Sequence, residues 1–114
     1  MVDCIFCKVA TGEIPAKIVR RSPEAVAFYD LQPQAPIHVL IIPTKHLGAV
    51  RDAKGPDLAL LGRLLAFAAE VATELGLDSA GYRLVSNTGP DGGQSVFHLH
   101  FHLMGGRRMA WPPG

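Results

Sequence analysis

The stretch HLHFHLM, His98 to Met104, sets a histidine at every second position with a bulky apolar residue between. The 114-residue chain has five histidines, and three of them fall here. On an extended strand, residues two apart share a face. His98, His100 and His102 therefore point one way. Leu99, Phe101 and Leu103 point the other way, where they can pack under a helix. Two chemistries use imidazoles aligned over such a backing. Neutral imidazole is a zinc ligand. It is also a nucleophile and an acid–base group, one ring attacking while its neighbours hold set protonation states. The bland reading, a half-buried row held by hydrogen bonds, suits a single histidine better than three on one face.

Working outward, the strand is expected to run from Val96 to Met104. It follows a glycine-rich loop, Asn87 to Ser95, and a strand over Tyr82–Ser86, so the two strands predict an antiparallel hairpin with a long connection. Gly92 and Gly93 can free the loop's φ angles so that backbone N–H groups form an anion nest, with Ser95 at the strand entrance. The loop lacks the Gly-Lys-Ser/Thr ending of a Walker A loop. Read alone, it is equally an ordinary hairpin connection.

HVLII, His38 to Ile42, is a continuous β-branched run and reads as a strand buried on both faces, bringing a fourth imidazole within reach. Lys17–Arg21 and Ala25–Tyr29 are further strand candidates, and Asp30–Pro33 reads as a turn. Asp3 is expected to cap a short helix ending at Gly12. A long helix runs from Pro56-Asp57 to Leu75, with Gly76 as its stop. Leu58, Leu61, Leu65, Ala68, Ala72 and Leu75 form its apolar stripe, and Leu60, Leu64, Phe67 and Val71 widen it. So apolar a helix is either sandwiched in a core or shared with a second copy, and the small size of the chain favours the shared face. The order predicts an α+β fold, with a mainly antiparallel sheet, one long helix and one short one.

The length fits one domain, residues 1–114, with a tail from about 105. A net charge of +1 argues against bulk binding of nucleic acid. No stretch approaches the roughly 20 apolar residues of a membrane span. The start, MVDCIFCK, reaches a lysine too early for a signal peptide, so a cytoplasmic setting is expected. In a reducing compartment, Cys4 and Cys7 read as metal or redox chemistry; the thioredoxin-like βαβ context is missing.

GGQSVFHLHFHLMGG, Gly92 to Gly106, resembles the signature of the histidine triad (HIT) superfamily, with apolar residues alternating between the histidines. The resemblance extends to IFCKVATGEIPAKIV, to FYDLQPQAPIHVLIIPTKH and to the final WPPG, nearly the whole chain. It looks nearest to the histidine triad nucleotide-binding branch, whose members are homodimeric purine nucleoside phosphoramidases. The resemblance implies the HIT fold, with the sheet extended across a homodimer, and an AMP-type ligand. It makes His100 the nucleophile on the α-phosphorus, supported by His98, with His102 on the phosphate oxygens and Ser95 near the bridging atom. Asp30 would bind the ribose hydroxyls and Asn87 the phosphate. The GGQS loop carries Gly93 and Gln94 to the phosphate, and His38 stands at the site's edge. Phe6, Val9, Phe28 and Leu31 match positions that hold the base, though plain core is the alternative for the two phenylalanines.

Some members of the superfamily use a Cys-x-x-Cys pair with two histidines as a structural zinc site. Cys4, Cys7, His46 and His98 match it; two buried free thiols are the alternative. No cofactor is required for the chemistry itself. Ala110 stands where many members of the branch carry a histidine, which leaves the leaving group open. The leading function is hydrolysis of AMP–amine conjugates. The others are dinucleoside polyphosphate hydrolysis or nucleotidyl transfer, and nucleotide binding without turnover.

Overall fold

A computed structural model describes residues 3–114; the first two residues of the expected 1–114 unit lie outside the described residues. The chain opens with α1 (Ile5–Thr11), then β1 (Ile18–Arg21), β2 (Ala25–Tyr29) and β3 (Ile37–Pro43). A single 3₁₀ turn precedes α2 (Asp57–Glu74), and β4 (Tyr82–Ser86) and β5 (Phe101–Gly105) complete the order. The strands form one five-stranded sheet ordered β1-β2-β3-β5-β4, and each pairing is antiparallel. The α+β reading therefore holds. No helix of the described residues is long and apolar enough to cross a membrane.

The period-2 alternation of the central strands builds two cores. Ala25, Ala27, Val39, Ile41, Phe101 and Leu103 face α2. Val26, Phe28, Leu40 and Ile42 face the opposite side, where Phe6 and Val9 of α1 cover them. β3 is buried on both faces, as its unbroken apolar run predicts. Full burial of side chains such as Ile41, Leu64 and Leu103 contributes about 1.5–3 kcal/mol each, set against the entropy of ordering them.

Three local expectations are corrected. First, the predicted strand from Val96 to Met104 is shorter, because the ladder starts at Phe101. Ahead of it, Leu99 N–H bonds to Leu47 O at 2.6 Å, which ties this segment to the connection after β3. Second, Cys4 rather than Asp3 caps α1, its Sγ accepting from Cys7 N–H at 3.4 Å. Third, the side of α2 packed on the sheet is Leu60, Leu64, Phe67, Ala68, Val71 and Ala72. Of the predicted stripe, Ala68 and Ala72 are buried there, Leu61 and Leu75 pack at its edge, and Leu58 and Leu65 are 62% and 44% exposed; the row expected to widen it, Leu60, Leu64, Phe67 and Val71, forms its centre. The bulkier row fills the space over the sheet better. Gly76 ends α2 as expected: at φ +76° it lets Leu77 N–H reach Ala72 O, closing a Schellman motif.

Candidate functional site

The face of the sheet under α1 carries the histidines. β3 supplies His38 and β5 supplies His102; the register opposes His102 to Leu40 and His38 to Met104, so the two imidazoles are diagonal neighbours. His98 and His100 sit just before β5, both buried. Leu99, Phe101 and Leu103 enter the α2 core, so the alternation read from the sequence survives the shortened ladder. Phe6 packs edge-on against Phe28, His98 and His100, with ring centroids 5.6, 6.0 and 5.2 Å away.

Two ring states follow from hydrogen bonds. His100 Nδ1 lies 2.7 Å from His98 O. A carbonyl only accepts, so Nδ1 carries the proton and, in the neutral ring, Nε2 keeps its lone pair. His98 Nε2 lies 2.9 Å from Pro43 O, which leaves the lone pair on Nδ1. Burial chiefly lowers the His98 pKa; the Pro43 carbonyl opposes this, and His46 and His100 reinforce it. Burial, then His100 and His38, push His102 down to about 4, with Asp30 opposing. Burial also lowers His38, again against Asp30. Such rings are neutral near pH 7.

His100 and His102 line a cavity of about 470 Å³. Phe6, Val9, Phe28 and Leu40 form its apolar wall, and Asp30, Leu31 and Ser95 also border it. Asp30 accepts Gln32 N–H at 2.8 Å and places its other oxygen 3.4 Å from His38 Nε2, so the expected turn also reaches the histidine row. Other expected residues stand back from this cavity. His38 and His98 are buried behind it. Asn87 Nδ2 donates to Gly92 O at 2.6 Å. Gln94 accepts Gly89 N–H and donates to Gly48 O and Val96 O. The Gly93 and Gln94 amides bond to Pro90 O and Gly89 O, so they are engaged inside the loop rather than offered as the expected anion nest. Gly92 is required there by close approach, since a Cβ would fall 2.3 Å from Thr88 O.

The second cluster joins α1 to the triad. Cys4 Sγ lies 3.3 Å from His98 Nδ1, and Cys7 Sγ lies 3.5 Å from it and 3.3 Å from His46 Nδ1. The two Nδ1 atoms are 3.2 Å apart. A tetrahedral ion with zinc bond lengths implies N···N edges of about 3.3 Å and N···S edges of about 3.5 Å. The donor set and its spacing fit that geometry. The His98 tautomer fits as well, because a ligating histidine normally donates its other N–H to a partner such as a carbonyl.

Several contributors carry no side-chain signal in the sequence. The carbonyls of Pro43 and His98 orient two rings, and backbone groups are invisible to residue-type reading. Ile14, Tyr29 and Val96 border the cavity but read as ordinary apolar positions.

Residues 11–109 match the HIT domain family. The chain belongs to the HIT family. A 14 kDa zinc-binding protein of Brassica juncea is 46% identical over 98% of this chain and all of its own. A solved HIT family hydrolase from Legionella pneumophila is 50% identical, with a TM-score of 0.95 over 98% of this chain and 100% of that one. A histidine triad nucleotide-binding protein from Candida albicans aligns with a TM-score of 0.81 at 33% identity, over 96% and 83%. The architecture described above is thus the HIT fold.

Proposed function

We propose that this HIT protein hydrolyses the P–N bond of AMP joined to an amine, through a nucleotidyl intermediate on His100. The carrying observation is the 2.7 Å bond from His100 Nδ1–H to His98 O, which leaves Nε2 as a fixed lone pair in a ring that borders the cavity. The relatives described as a hydrolase and as a nucleotide-binding protein support the same reading.

The base lies against Phe6, Val9, Phe28 and Leu31, and Asp30 takes the ribose hydroxyls. His100 Nε2 attacks the α-phosphorus, the P–N bond breaks, and the departing nitrogen takes a proton from solvent relayed through the Ser95 hydroxyl, a proton that the water of the second step returns. Water then attacks the phosphorus and releases AMP, returning the ring to its starting state. His102 holds the phosphate, His38 supports His102, and the reaction needs no cofactor. Zinc at Cys4, Cys7, His46 and His98 is structural in this reading; when bound, it ties α1 to the triad segment. The relative named as zinc-binding supports it. The exposed Leu58 and Leu65 pack against a second copy.

The test is AMP release from an AMP–amine conjugate, compared with a diadenosine polyphosphate. The expected outcome is preferred turnover of the conjugate and a loss of roughly three orders of magnitude or more in His100→Ala. Wild-type turnover no greater than that of the variant would leave a binding protein instead.

A further inference from the structure

A third histidine cluster, distinct from the cysteine site, raises the question of what it does. Asp30, His38 and His102 bring their ligand atoms within 4.8 Å of one another. On distances alone this group resembles a metal site. The far nitrogen of His38 decides otherwise. Gln34 N lies 2.9 Å from His38 Nδ1, and an amide N–H can only donate. Nδ1 therefore holds the lone pair, and a neutral imidazole must carry its proton on Nε2. A metal on that Nε2 would leave the ring with no proton at all. This is the reverse of His98, whose far nitrogen faces a carbonyl.

The same constraint propagates. His38 Nε2 lies 2.9 Å from His102 Nδ1 and 3.4 Å from Asp30 Oδ2. With the proton on His38 Nε2, His102 accepts at Nδ1 and carries its own proton on Nε2. The opposite polarity would set two donors face to face at the Gln34 amide. Gln34 itself is clamped from the far end of β5. The Arg107 guanidinium donates to Gln34 O through Nε at 3.2 Å and Nη2 at 3.0 Å. The Gln34 side chain adds a bond to Gln32 O, and Gln32 N–H bonds to Asp30.

We infer that the Gln34 amide, held by Arg107, is a positioning element that fixes His38 and His102 so that His102 presents an N–H donor beside His100. His102 is then a neutral hydrogen-bond donor to a phosphate oxygen, complementary to the lone pair on His100. This use of the donor rests on the proposed phosphoramidase reading; the ring states do not. Neither Gln34 nor Arg107 touches the substrate in this account. Both act through the rings.

The test is nitrogen-15 NMR of histidine-labelled protein without substrate, combined with kinetics. The expected result is His38 and His102 both protonated at Nε2 near neutral pH. Gln34→Pro removes the donor, and His38 is expected to gain a population protonated at Nδ1. Gln34→Ala keeps the amide and retains the wild-type signature. Arg107→Ala leaves the amide in place but unclamped, and is expected to mix the two tautomers and lower kcat roughly tenfold. Should Gln34→Pro misfold, Arg107→Ala still decides the matter. Wild-type His38 protonated at Nδ1, or unchanged ring states in both Gln34→Pro and Arg107→Ala, would overturn the inference. Wild-type protein with the expected ring states but no turnover would sink the proposed function and leave the ring assignment standing.

Discussion

At the scale of single residues, burial favours the neutral form of His38, His98 and His102, and hydrogen bonds choose which nitrogen of each ring carries the proton. His100 offers a lone pair because His98 O takes its Nδ1–H at 2.7 Å. Neutrality has a consequence for stability. His102 titrates at about 4 in the folded chain, against about 6.5 when unfolded, because it is buried near His100 and His38, with Asp30 in partial opposition. Between those values the unfolded chain binds more protons, so folding stability rises with pH across the window. The contribution is complete above about pH 6.5 and is lost as pH falls toward about 4. Burial shifts His38 and His98 the same way. Thermal unfolding in chelator, where metal release cannot contribute, should therefore show a lower Tm at about pH 5 than at about pH 7. A Tm that held level or rose on acidification would contradict the assignment. Alternate histidines in HLHFHLM made the row legible in the sequence. The carbonyls and the amide that set its tautomers were not, since any residue type supplies them.

At the scale of elements, α1 together with its N-cap, Cys4, does two jobs. Its i, i+3 cysteines reach His46 and His98, while Phe6 wedges against His100 and Phe28. A helix this short has little intrinsic stability, so its position depends on packing and on the cysteine–histidine cluster. We expect purified protein to carry about one zinc per chain. Cys4→Ser should lower both the metal content and the Tm, by elemental analysis and calorimetry. Metal-free protein isolated without chelator would count against the zinc site. The helix and its two cysteines could be read from the sequence, but its cap could not: Cys4 Sγ takes the role expected of Asp3. The same limit applies to β5, whose ladder begins at Phe101 because a tertiary bond from Leu99 to Leu47 diverts the preceding segment. A periodic pattern fixes which way side chains point and is silent on where pairing starts.

At the scale of the whole molecule, the sheet separates two tasks. One face is covered by α2 and carries the larger core; the other carries α1, the histidines and the cavity. Both apolar rows of α2 recur at helical spacing and were legible as one wide stripe; only the sheet's position makes Leu60, Leu64, Phe67 and Val71 its centre and leaves Leu58 and Leu65 outside. The proposed dimer would use the outward residues Leu58 and Leu65. Sedimentation should give a dimer for the wild type and a monomer for Leu58→Glu combined with Leu65→Glu; a monomeric wild type would remove that assignment. The central claim concerns the whole arrangement, a cavity that presents one imidazole lone pair to a nucleotide's phosphorus. Its most direct test is intact-protein mass spectrometry after rapid mixing with an AMP–amine conjugate and quenching under conditions that preserve phosphorus–nitrogen bonds. The expected result is a transient adduct of one adenylyl group, mapped to His100 and missing in His100→Ala. An adduct on a different residue, or turnover without any adduct, would contradict it.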